Sequence, residues 1–136
     1  MNRLLLLIGS AVVLSSAVSA SPPVTVVDGD TIWVGEEKVR IVGLDAPETY
    51  QARCDEERAL GQRATGYLRV LVQRGRVTIK RQDRPDRYGR TLARVYIDGR
   101  DVADIMVREG LAVRYDCPRG RCPRRIDWCK RLKVAR

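Results

Sequence analysis

Val39-Arg40-Ile41-Val42-Gly43-Leu44 is apolar except for one arginine and one glycine, and Asp45-Ala46-Pro47-Glu48 closes it. A nearly continuous apolar run of this length reads as a strand buried on most sides. Arg40 is out of place there, because a buried charge needs a partner. Upstream, Gly35-Glu36-Glu37 is a hairpin turn and Thr31 to Val34 a strand. Asp28-Gly29 is a turn, and Val24 to Val27 a short β-branched strand before it. A hairpin around residues 35–37 brings Asp30 and Asp45 to the same end of the sheet. Two carboxylates with no lysine beside them suit a hard, oxygen-liganded cation. Two are few for a complete cage, so waters, a main-chain carbonyl and a substrate phosphate fill the remaining positions.

Downstream, residues 49–60 are polar and charged and read as a loop. Gly61 to Arg74 is a helix on the spacing of Ala64, Tyr67, Leu68, Leu71 and Val72, stopped by Gly75. Gly66 within it costs roughly 1 kcal/mol relative to alanine. Val77 to Arg81 and Thr91 to Ile97 are strands, separated by a charged turn from Arg84 to Gly89. Asp98-Gly99 closes the second strand, and Asp101 caps a short helix that buries Val102, Ile105 and Met106 and stops at Gly110. Leu111 to Val113 forms a last short strand, and a final helix lies around Arg124 to Leu132. There is no internal repeat and no low-complexity tract. About five short strands with interspersed helices indicate a small closed β-barrel of the OB-fold type.

The 136 residues allow one domain. Met1-Asn2-Arg3, the apolar run Leu4 to Val18 and the small residues Val18-Ser19-Ala20 read as an export signal cleaved after Ala20. A membrane anchor is the alternative, but the run is shorter than the ~20 residues a spanning helix needs, and Ser21-Pro22-Pro23 follows. The formal net charge of +9 attracts polyanions. The chain has no histidine, which excludes mechanisms that need imidazole as base, nucleophile, phosphate clamp or metal ligand. Acid or base work therefore falls to carboxylates, Lys, Tyr, Cys or metal-bound water. The four cysteines, Cys54, Cys117, Cys122 and Cys129, suit two disulfides in an exported domain. A four-cysteine zinc site is the rival, although the usual Cys-x2-Cys knuckle is missing. Three pairings are possible.

Taken singly, each polar piece is an ordinary turn or capped loop. Together, Asp28-Gly29-Asp30-Thr31, Arg40 to Glu48 and Asp86-Arg87-Tyr88-Gly89-Arg90 resemble the signature blocks of the staphylococcal nuclease family, in order and at similar spacing. Val107-Arg108-Glu109-Gly110-Leu111-Ala112 is similar to that family too, so the resemblance spans roughly residues 24–115. It implies residues 21–136 as one such domain, an OB-fold barrel with about three helices, acting as a monomer. It implies calcium-dependent hydrolysis of DNA and RNA with little sequence specificity, leaving 3′-phosphates. By motif position, Asp30 and Asp45 match the calcium carboxylates and Ala46 a main-chain carbonyl ligand. Glu48 matches the carboxylate beside the attacking water, and Arg40 and Arg90 match the phosphate-binding arginines. The residue types suit this chemistry, because guanidiniums stay charged and donate two bonds to phosphate oxygens as negative charge gathers on them.

The cysteines depart from the family pattern. The expectation is that Cys54 bonds to a tail cysteine and pins the 49–60 loop beside the site, while the other two staple the tail helix. Tyr88 and Tyr115 are candidates to stack on a base or sugar, or else pack at the barrel rim. Aromatics are scarce, so binding is expected to be backbone-dominated with little sequence specificity. From Arg119 to Arg136 there are eight basic residues against Asp127 alone, a tail suited to gripping nucleic acid. The alternative from another class is a non-catalytic OB-fold nucleic-acid-binding module. Such domains usually lack a metal carboxylate or an arginine, and here Asp30, Arg40, Asp45, Glu48 and Arg90 are all present. The expected compartment is the periplasm or the medium.

Overall fold

β-branched and apolar stretches make the strands, and turn residues separate them. Val24–Asp28 (β1) pairs antiparallel with Thr31–Val34 (β2), and the two-residue turn Gly35-Glu36 returns the chain as Glu37–Ile41 (β3), with Thr31 opposite Arg40. The computed structural model describes residues 21–135; the expected export signal, residues 1–20 with cleavage after Ala20, lies outside them. Among the described residues no helix is long and apolar enough to cross a membrane.

The apolar run 39–44 is not one strand. It ends β3 at Ile41, and Gly43–Asp45 forms a separate strand, β4. Gly43 has φ +91°, a left-handed conformation that strains any side chain, and a Cβ there would meet Ala103 Cβ and an Arg94 guanidinium nitrogen at 3.2 Å. This kink takes the chain out of the first sheet and into β4. The remaining strands are Val77–Arg81 (β5), Thr91–Ile97 (β6), Arg100–Asp101 (β7) and Val113–Tyr115 (β8). The main sheet runs β1-β2-β3-β6-β5, with β3 and β6 parallel and the other neighbours antiparallel, and β7 folds back on the end of β6. β4 pairs with β8 as a second, two-stranded sheet.

This mixed sheet with three helices fits the expected OB-type fold, with one correction. The sheet is not closed into a barrel: β1 and β5 remain its two ends, with no pairing between them.

The helices are Asp55–Arg74 (α1), Val102–Arg108 (α2) and Trp128–Val134 (α3). α1 begins six residues earlier than the predicted Gly61, so the loop expected at 49–60 is shorter. Asp55, Glu56 and Glu57 occupy the first turn, where negative charge offsets the helix dipole. The last strand sits at Val113–Tyr115 and not at Leu111 to Val113, because the Leu111 N–H still bonds Met106 O at 2.9 Å behind α2. α3 starts at Trp128 and not near Arg124, capped by Asp127, whose carboxylate accepts from the Lys130 N–H at 3.1 Å.

The core lies between the sheet and the first two helices. Ile32, Val39, Ile41 and Val95 meet Ala64 and Leu68 of α1 and Val102, Ala103 and Met106 of α2, all fully buried. Each large side chain so buried contributes about 1.5–3 kcal/mol. Asp101 caps α2 as expected: one oxygen accepts from Ala103 N and the other from Arg94, both at 2.8 Å.

Candidate active site

The turn before β2, the middle of β3, the end of β4 and the segment after it converge on one spot. Asp30 precedes β2, and its Oδ1 accepts from the Thr31 hydroxyl at 3.0 Å while Oδ2 accepts from the Ala46 N–H at 3.3 Å. That second bond ties the start of β2 to the end of β4. Arg40 projects from β3 between the two carboxylates, with Nη2 3.1 Å from Asp30 Oδ2 and 3.7 Å from Asp45 Oδ1. Main-chain carbonyls hold the same guanidinium: Nη1 donates to Ile41 O at 2.6 Å and Nη2 to Leu44 O at 3.2 Å. The buried strand arginine therefore finds its counter-ions in Asp30 and Asp45, where the sequence alone pointed to an incoming phosphate.

Asp45 is 1% exposed at its side chain, and its Oδ2 is buried with no hydrogen-bond partner. An orphaned buried carboxylate oxygen is costly unless something positive comes to it. Asp30, Asp45 and the buried Ala46 thus offer an all-oxygen donor set of the kind a hard divalent cation takes. The residues fit the expected cation. Burial, and then the Asp30 charge beside it, pushes Asp28 up from 3.8 to about 6.

Glu48 follows Pro47 at the rim and lies with this group. Glu57, buried in the first turn of α1, fixes the segment between: its carboxylate accepts from Arg53 N at 2.8 Å and Glu48 N at 3.5 Å. α1 also approaches closely at Gly61, where a Cβ would stand 2.6 Å from Glu48 O and 2.8 Å from Pro47 O.

Arg90 does not share the carboxylate cluster. It stands at the entry to β6 in a turn organised by Asp86, whose Oδ1 accepts from Tyr88 N and Arg90 N at 2.9 Å and whose Oδ2 accepts from Arg90 Nε at 2.7 Å. Burial works against the Asp86 charge, yet the bonds from Arg90 and Tyr88 outweigh it and hold the carboxyl below its ordinary value. Since Leu92 of β6 is opposite Arg40, Arg90 enters along the strand beside β3. Tyr88 is exposed, its hydroxyl bonded by Arg87 at 2.7 Å, with the Arg90 guanidinium 5.5 Å from its ring. Tyr115 is placed differently. It pairs with Gly43 in the second sheet, and its hydroxyl donates to Pro123 O at 3.0 Å, tying down the tail.

All four cysteines are paired, Cys54 with Cys129 and Cys117 with Cys122, which removes the zinc alternative. Cys54 does reach a tail cysteine and pins the start of α1 to α3. The second bridge does not staple the tail helix. It closes a tight turn before it, because only five positions separate its cysteines.

The tail supplies a residue that the sequence did not reveal. Arg125 donates through Nε to Asp45 Oδ1 at 2.8 Å, bonds the same oxygen through Nη2, and reaches Glu48 Oε1 at 3.1 Å. Burial disfavours its charge, but Asp45, then Glu48 and Asp30, raise its pKa above the ordinary arginine value. A cavity of about 590 Å³ opens beside it, lined among others by Glu48, Arg53, Arg124, Arg125 and Lys130. The signal for Arg125 lay in its place four residues before Cys129, once Cys129 is joined to the loop beside the site.

Residues 38–132 match the family model described as staphylococcal nuclease homologue. The chain is 38% identical over 92 residues to the SPbeta prophage-derived endonuclease YokF of Bacillus subtilis, covering 63% of this chain and 31% of that protein. It is 34% identical over 92 residues to a thermonuclease of Staphylococcus intermedius, covering 64% and 54%. It is 31% identical over 115 residues to the succinoglycan biosynthesis protein ExoI of Rhizobium meliloti, covering 79% and 60%. Each alignment spans less than two thirds of the relative's own length.

Proposed function

The chain belongs to the staphylococcal nuclease family, and from that premise we propose that it is an exported, calcium-dependent nuclease hydrolysing DNA and RNA with little sequence specificity. The observation that carries this reading is that Arg40 joins the carboxylates of Asp30 and Asp45, with Glu48 linked to Asp45 through Arg125, while the other, buried oxygen of Asp45 has no hydrogen bond. Asp30, Asp45 and the Ala46 carbonyl would hold the calcium ion. When bound, the ion supplies positive charge that polarises the phosphodiester. Glu48 orients the attacking water and accepts its proton. Arg40 and Arg90 donate to the phosphate oxygens as charge builds on them. The water oxygen bonds to phosphorus as the bond from phosphorus to the 5′ oxygen breaks, and the departing 5′ oxygen takes a proton from solvent, leaving a 3′-phosphate and a 5′-hydroxyl. Tyr88, exposed beside Arg87 and Arg90, stacks on a base or sugar, whereas Tyr115 serves the tail.

Residues 1–20 act as the export signal in this reading and residues 21–136 as the mature, monomeric domain, released to the periplasm or the medium. Two disulfides and no free cysteine support an oxidising destination.

The test is digestion of single-stranded DNA, duplex DNA and RNA by the oxidised protein, with calcium and with a chelator. Glu48→Ser and Arg90→Gln run beside wild type. Calcium-dependent cleavage lost in both variants is the expected result. A folded wild type that binds nucleic acid but cleaves none of the three overturns the enzyme reading in favour of a non-catalytic module.

A further inference from the structure

Arg125 lies outside every motif that carries the family resemblance, yet it makes the densest contact with the carboxylate cluster. All of that contact falls on one oxygen of each partner, Asp45 Oδ1 and Glu48 Oε1. Asp45 Oδ2 is left without a bond. Asp45 can therefore hold the arginine and a cation at the same time, one on each oxygen. Arginine carries five N–H donors, and the contacts with Asp45 and Glu48 run through Nε and Nη2. The side chain is 48% exposed and lines the cavity beside Glu48.

The placement is built. On one side of Arg125, Pro123 O accepts from the Tyr115 hydroxyl at 3.0 Å. On the other, Asp127 pairs with Arg53 at 3.4 Å, Trp128 is buried, and Cys129 is bonded to Cys54. A segment fixed on both flanks delivers its guanidinium at little entropic cost. It also meets a need. Among the motif residues Arg40 alone pairs with Asp30 and Asp45, and a polyanion approaching these carboxylates and Glu48 is repelled unless further positive charge stands there.

We propose that Arg125 is a third arginine of the phosphate site: it holds Glu48 and Asp45 in place and offers its remaining N–H groups to a backbone phosphate of the strand entering beside Glu48. This rests on the nuclease reading above. Arg125 is a positioning residue for Glu48 and a binding residue for the substrate.

The experiment uses the oxidised full chain as wild type, Arg125→Gln, Arg125→Lys and Arg74→Gln. Arg74 is exposed at the C-terminal end of α1, about 20 Å along the helix from Gly61, where the helix meets Glu48, and controls for net charge. The probe is a fluorescein-labelled single-stranded oligonucleotide, titrated by anisotropy in chelator over a range of salt. Cleavage with calcium and thermal unfolding are measured on the same samples. Arg125→Gln is expected to bind about tenfold more weakly or worse. Its slope of log affinity against log salt should be shallower by about 0.7, the share of one phosphate contact on a single strand. Arg125→Lys should recover the slope but not the cleavage rate, since an ammonium has no fork to span Asp45, Glu48 and a phosphate. Arg74→Gln should stay within about twofold of wild type, as an exposed charge beyond a Debye length.

A folded Arg125→Gln with wild-type slope and KM overturns the proposal and leaves a structural ion pair. An Arg125→Gln that binds calcium more tightly and cleaves faster also overturns it, by making Arg125 a rival of the cation. If wild type cleaves nothing while Arg125→Gln loses the slope, the nuclease reading fails and the phosphate contact stands.

Discussion

Gly61→Ala and Gly66→Ala make the same change in the same helix and are expected to act in opposite directions. At Gly66 an added Cβ meets no atom within 4 Å. Alanine is favoured over glycine in a helix interior by about 0.8–1.0 kcal/mol, so this variant should gain about that much stability. For a domain of this size the gain corresponds to a rise of about 4 °C in Tm, with activity unchanged. At Gly61 the new Cβ stands 2.6 Å from Glu48 O, where ordinary contact begins at 3.4 Å. The two main chains must then part by about 0.8 Å, and overpacking of this kind costs about 1–3 kcal/mol, which outweighs the helical gain. The displaced atoms belong to the residue assigned to the attacking water. A misplacement near 1 Å lowers a rate by about 10²-fold. Thermal melts of the oxidised variants, with initial rates of single-stranded DNA cleavage in calcium, decide the matter. A Gly61→Ala protein as stable and active as wild type would refute the close approach of α1 to Glu48, and a Gly66→Ala protein that loses stability would refute the helix-propensity argument.

Three other perturbations follow from particular bonds. Asp86→Ala removes three of the bonds that shape the turn carrying Arg90, so cleavage should fall about tenfold or more while the melting temperature changes little; wild-type kinetics would detach Arg90 from Asp86. Replacing both cysteines of a bridge by serine should cost about 4 kcal/mol for Cys54–Cys129 and about 2 for Cys117–Cys122, because their separations are 75 and 5 residues; urea titrations giving equal costs would contradict a loop-entropy origin. Glu37 accepts hydrogen bonds from Arg81 and Thr91, which lower its pKa from 4.5, so its contribution is present above that value and lost as pH falls through the lower folded one. Its exposure keeps that contribution below about 1 kcal/mol, and Glu37→Gln should flatten the acid side of the stability profile by that amount in urea titrations at pH 7 and at pH 3.

What the sequence revealed of the site is what lies close along the chain. Asp30 and Arg40 meet because one hairpin, with its turn at Gly35-Glu36, joins β2 to β3, and Asp45 follows only five positions after Arg40, so the cluster is written in local residues. The β5 and β6 limits were legible for the same reason. The parallel pairing of β3 with β6, which brings the Arg90 turn alongside Arg40, joins segments some fifty positions apart and leaves no periodic trace. Arg125 was hidden by an even longer separation. Its meaning depends on which cysteine Cys54 takes, and spacing alone allowed three pairings. Gly43 was visible as an interruption of an apolar run. Only its positive φ and its packing on Ala103 make it the corner at which β3 gives way to β4. The first turn of α1 was read as loop because its charges look like solvent, yet Glu57 points inward to hold main-chain N–H groups.

The nesting of the two disulfides bears on how the molecule tolerates being cut. The turn between Cys117 and Cys122 exposes Arg119 and Arg121, the kind of basic residue at which many proteases cleave. A break after either arginine separates one piece containing Cys54 and Cys117 from another containing Cys122 and Cys129, and both bridges cross that break. The severed tail therefore stays fastened at two points, with Trp128 still buried against the body and Arg125 still held between its ties. This exposed basic turn of the tail is thus a place where the backbone can be opened without releasing anything.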